Sequence, residues 1–122
     1  MSNTDLNFYI RDDGIMVFKF YALHRAAADQ FAKVVQSGMQ NVPPKLRIVY
    51  DFSMAPPPTP YFNKIQSTLY NEFPHPDDEK SAYVTGTAHN EVWVRIVRGY
   101  ITPKDTHRIF TEFDAAIAWL QD

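Results

Sequence analysis

Apolar residues near the start of the chain recur at every second position. Leu6, Phe8 and Ile10 alternate with polar or smaller partners, the spacing of a β-strand. Asp12-Asp13-Gly14 follows, a turn in which glycine supplies positive φ. IMVFKFYA then places branched and aromatic residues on both faces. The two segments read as a β-hairpin whose second strand is more buried than its first. From His24 to about Met39 the period becomes helical, with Ala27, Phe31, Val34 and Val35 opposite Asp29, Lys33 and Gln36. Gly38 and Pro43-Pro44 end that helix. LRIVYDF, residues 46–52, is a short apolar run between turn formers and reads as a central strand.

Four prolines, Pro56, Pro57, Pro58 and Pro60, then surround Thr59. Thr59 is a candidate N-cap and Pro60 a candidate first helical residue, where a missing N–H costs nothing. Phe62, Ile65 and Leu69 form the apolar stripe of a second helix ending near Phe73, and FPHPDDEK reads as a polar turn. SAYVTGT, residues 81–87, reads as another buried strand. Residues 90–101 carry Val92, Trp93, Ile96, Val97 and Tyr100 at helical spacing, with Asn90 as a cap and Glu91, Arg95 and Arg98 facing away. Thr102-Pro103 stops this third helix, and HRIF makes a short strand. Thr111 and Asp114 resemble a capping box before a final helix with Phe113, Ala116, Ile117 and Leu120 inside.

The expected order, β-β-α-β-α-β-α-β-α over residues 1–122, is that of a single α/β domain. Alternating strands and helices require right-handed crossovers and a mostly parallel sheet covered by helices. The opening hairpin adds one antiparallel strand at an edge.

Composition narrows the function classes. A chain of 122 residues with nine Phe, seven Tyr and two Trp has ample apolar surface for one core. The net charge of −2, with scattered Lys and Arg, speaks against nucleic acid, whose phosphates call for a basic patch. No cysteine is present, which excludes disulfides, thiol nucleophiles and Cys-based metal sites. The N-terminus lacks the pattern of a signal peptide, and no apolar run is long enough to span a bilayer, so a cytoplasmic, soluble protein is expected.

Three stretches, DDGIMVFKFYA, KLRIVYDFS and the pairing of KSAYVTGTAHNEVWVRIVRGY with HRIFTEFDAAIAWLQD, resemble the STAS/SpoIIAA-like superfamily. The closer likeness is to its SpoIIAA-like branch, often compared with lipid-binding CRAL-TRIO domains. The resemblance covers nearly the whole chain and implies a non-enzymatic regulatory or binding module. In the anti-sigma-factor antagonists of this superfamily a serine just after the central strand is phosphorylated. The positional counterparts here are Ser53 and Thr59, although the family's Asp-Ser-Ser/Ala-Gly type of motif is absent.

The residues themselves offer little catalytic chemistry. Asp51 ends the central strand, where open α/β sheets bind ligands, but an acid without a partner base gives no mechanism. The ordinary role for Asp51 is accepting loop N–H groups or pairing with a lysine. His24, His75, His89 and His107 show no metal-ligand spacing, and Gly86 alone is no phosphate loop. No metal, cofactor or catalytic residue is therefore expected. Tyr61, Phe62, Tyr70, Phe73, Trp93 and Tyr100 are rich for one thin core. They suit core packing, an interface to a protein partner or a second copy, or a cavity for a small apolar ligand between the second and third helices. The expected partner or ligand surface thus comprises Asp51, Ser53, Thr59, Tyr61, Phe62, Trp93 and Tyr100.

Overall fold

Strand β1 (Leu6–Ile10) and strand β2 (Met16–Phe20) form the expected hairpin, antiparallel in the register Leu6↔Phe20 to Ile10↔Met16. Gly14 sits in its turn at φ 85, a backbone region that L side chains adopt only at a cost. The structure, a computed structural model, describes residues 5–38, 43–55, 59–72, 76–86, 91, 95 and 106–122. Helix α1 (Arg25–Gly38) leads to strand β3 (Lys45–Asp51), and helix α2 (Pro60–Glu72) to strand β4 (Asp78–Val84). Strand β5 (His107–Phe110) precedes the last helix, α3 (Phe113–Gln121). In the third expected helix Glu91 and Arg95 are helical and exposed, as the pattern requires. Its inner residues, Trp93 and Tyr100 among them, lie outside the described residues.

The five strands form one sheet in the order β1-β2-β3-β4-β5, parallel from β2 onward, with the antiparallel β1 at an edge. The crossovers through α1 and α2 each join neighbouring parallel strands, and successive crossovers of one hand place these helices side by side on one face. Helix α3 packs on the opposite face against β3, β4 and β5. The strand period of two therefore sorts side chains into two cores. Under α1 and α2 lie Phe18, Phe20, Leu46, Ile48 and Phe52, with Phe31 and Phe62 descending from the helices. Against α3 lie Ile15, Val17, Val49, Ala82 and Val84, met by Ala116, Ile117 and Leu120. Each fully buried apolar side chain contributes about 1.5–3 kcal/mol, before the entropy of ordering it.

Two local expectations need correction. Asp78, Glu79 and Lys80 are not part of a polar turn: they open β4, in register with Lys45, Leu46 and Arg47. Pairing with a central strand satisfies their backbone groups, and Asp78 gains an ion pair with Arg47, so tertiary contact overrides low strand propensity. At the start of α3 the N-cap is Glu112 and makes no side-chain cap hydrogen bond, so the Thr111–Asp114 box does not form. Asp114 instead places its charge in the first turn, favourably toward the helix dipole.

Candidate functional site

The carboxyl ends of β3 and β4 meet the N-termini of α1 and α2 at one end of the sheet. Asp51, the last residue of β3, is 4% exposed. Its Oδ1 accepts the Ser53 N–H at 3.0 Å and the Ser53 hydroxyl at 2.7 Å, an Asx turn that redirects the chain out of the strand. Asp51 is thus a buried anchor for the loop, and Ser53 is the exposed residue it positions. Gly86, at φ 66, lies against this turn. A Cβ built on it would stand 3.4 Å from the Ser53 Cβ, so Gly86, just past the end of β4, packs directly on the Ser53 turn. Met54 is next in the chain and is 63% exposed. Tyr21, two residues beyond Lys19 (which pairs with Asp51), is 39% exposed at the same end of the sheet.

Thr59 performs the capping role expected of it. Its Oγ1 accepts the Phe62 N–H at 3.2 Å and donates to the Leu23 carbonyl at 2.9 Å, tying the start of α2 to the loop before α1. His24 does the same for α1, its Nδ1 accepting the Ala27 N–H at 3.4 Å while Nε2 lies 3.5 Å from Asp5. Tyr61 bridges the helices: its hydroxyl donates to Asp29 at 2.6 Å and the Arg25 guanidinium lies 4.6 Å over its ring. The bond to the Asp29 carboxylate holds the phenol above its usual pKa.

Phe62 is a correction to the expected surface. It is fully buried, its ring 5.3 Å from Phe20, 5.8 Å from Phe31 and 6.2 Å from Phe52, and belongs to the core. The structure brings Asp51 and Ser53 together and sets Thr59 and Tyr61 at the adjoining helix start. Trp93 and Tyr100, and with them the expected cavity between the second and third helices, lie outside the described residues.

The sequence reading missed three features. Met54 carried no periodic signal, because its exposure follows from the turn that Asp51 makes. On the α1/α2 face, buried Tyr83 and His107 bond through the phenol and Nδ1 at 3.0 Å. Arg47, the charge inside the apolar run of β3, is buried at 7% exposure. It donates from Nε to the Leu120 carbonyl at 3.2 Å, from one terminal nitrogen to the carbonyls of Leu46 and Asp78, and from the other to the Asp78 carboxylate at 2.7 Å. It thus caps the C-terminus of α3 from the sheet. Beside it a cavity of about 190 Å³ opens between Lys45, Leu120 and the hairpin turn, at the end opposite Ser53.

Among the described residues no group of three or more His, Asp or Glu could hold a metal ion. No described helix is long and apolar enough to cross a membrane. No protein-family model and no curated protein matches the chain. Solved structures do. An uncharacterized DUF3478-family protein with a SpoIIAA-like fold from Shewanella loihica PV-4 superposes with a TM-score of 0.73 at 19% identity, over 98% of both chains. An anti-sigma factor antagonist from Mycobacterium paratuberculosis gives 0.64 at 14% identity, over 99% of this chain and 98% of its own. With the mixed sheet, the edge hairpin and helices on both faces, these superpositions establish that the chain has a SpoIIAA-like α/β fold.

Proposed function

We propose that this domain is a non-enzymatic regulatory module that binds a protein partner through the loop surface at the carboxyl ends of β3 and β4. The observation that carries the reading is Met54, 63% exposed and held beside exposed Ser53 by a turn locked on buried Asp51. A flexible apolar side chain displayed on a rigid turn suits the centre of a protein contact. The solved anti-sigma factor antagonist with the same fold supports a regulatory role. Among the described residues at this surface, Asp51 has no base beside it to form an acid–base pair. Ser53 is the better phospho-acceptor of the two candidates, because both hydrogen bonds of Thr59 already serve the fold. A phosphate on Ser53 would stand against the Asp51 carboxylate, so the turn would open and the surface around Met54 would change.

The test is photo-crosslinking in the native host, with a photoreactive residue in place of Met54 and, as control, in place of exposed Lys33 on α1. A discrete protein adduct at position 54 and absent at position 33 is expected. Adducts identical at both positions, or none at 54, refute the proposal.

A further inference from the structure

Strand β1 closes one side of the sheet, and among the described residues no strand pairs with its outer edge. We propose that this edge pairs antiparallel with the same edge of a second copy about a twofold axis at Phe8, joining the two sheets into one of ten strands. This surface is separate from the Ser53 loop.

Three features of β1 specify the pairing. The first is hydrogen-bond parity. Arg11 donates to the Ile15 carbonyl and Tyr21 to the Asp5 carbonyl, so the odd-numbered residues of β1 spend their backbone groups on β2. The N–H and C=O of Leu6, Phe8 and Ile10 therefore point outward. A twofold at Phe8 sets Leu6 opposite Ile10 of the second copy and Phe8 opposite its counterpart, so these outward groups meet in pairs. The second is charge. The same register sets Asp5 opposite Arg11 of the second copy on one face of the sheet, twice by symmetry. The third is the absence of protection: LNFYI holds no proline, lysine or bulge. It also exposes two large side chains, Ile10 at 58% and Tyr9 at 40%. Ile10 would come to lie beside Leu6 of the second copy. Antiparallel pairing reverses the second molecule, so the two Ser53 surfaces would face opposite ways and could engage two partners.

The chain has no cysteine, which permits a register-specific test. Asn7 and Tyr9 become a directly opposed, non-hydrogen-bonded pair across the interface, with Cα atoms about 4.5 Å apart, within disulfide reach. Two copies of Asn7, or two of Tyr9, would be offset along the strands by about 7 Å, too far for a bridge. Mixing the N7C and Y9C variants under mild oxidation should yield a covalent dimer, and neither variant alone should. Both side chains are exposed, so the fold is preserved. No covalent dimer from the mixture, or equal yields from the single variants, overturns the pairing. In sedimentation equilibrium, R11D should weaken self-association about tenfold or more by opposing like charges, and D5R/R11D should restore it. Self-association indifferent to R11D also overturns it.

Discussion

Replacing Arg47 with methionine keeps the length and apolar stem of the side chain and removes its four hydrogen bonds. Hydrogen bonds to charged groups each contribute about 1.5–3 kcal/mol net, but the losses here do not simply add. The Asp78 side chain is 59% exposed and regains water once Arg47 is gone. Leu120 lines the adjacent cavity, which gives water a path toward the carbonyl that Arg47 would leave. What remains is the weakened α3 terminus and a poorly solvated carbonyl, about 2–3 kcal/mol of lost stability. In urea this shifts the unfolding midpoint by on the order of 1–2 M for a chain of this size. The acid limb adds a second readout. The hydrogen bond from the Arg47 guanidinium holds the Asp78 carboxyl below its ordinary range. A carboxyl depressed in the folded state adds stability that is present above the unfolded pKa and lost as pH falls through the folded one. Urea midpoints measured at neutral pH and down into the acid range should therefore show R47M less stable at neutrality. Its deficit should narrow as Asp78 protonates. If R47M loses no more than D78N, the carbonyl contacts contribute nothing and the capping argument fails.

The hairpin turn and the aromatic core offer two further tests. G14A meets no atom within 4 Å of its new Cβ, so the positive φ alone sets the cost, about 1–2 kcal/mol. Thermal unfolding unchanged by G14A would show that the turn relaxes freely. F62A should cost about 3–5 kcal/mol, since it empties a site enclosed by three phenylalanine rings. A denaturation midpoint near that of the wild type would return Phe62 to the surface.

The periodicities of the chain determined most of the fold by themselves. Strand alternation in β1, the DDG turn and the helical spacing of Ala27, Phe31 and Val35 are local signals, and each element formed where they fall. Thr59-Pro60 was likewise legible as a helix start, because capping is a contact between near neighbours. The tertiary structure decided what depends on residues distant in sequence. Arg47 is buried because Leu120 and Asp78 come to it from 73 and 31 positions away. Asp78, Glu79 and Lys80 are strand because β3 offers partners to their backbone. The helical stripe of Phe62, Ile65 and Leu69 marked an inward face, yet the burial of Phe62 was settled by α1 and the sheet closing over it. The exposure of Met54 followed from the turn held by Asp51. A sequence pattern shows which faces must be covered; which element covers them, and which residue is left in solvent, depends on how those faces meet.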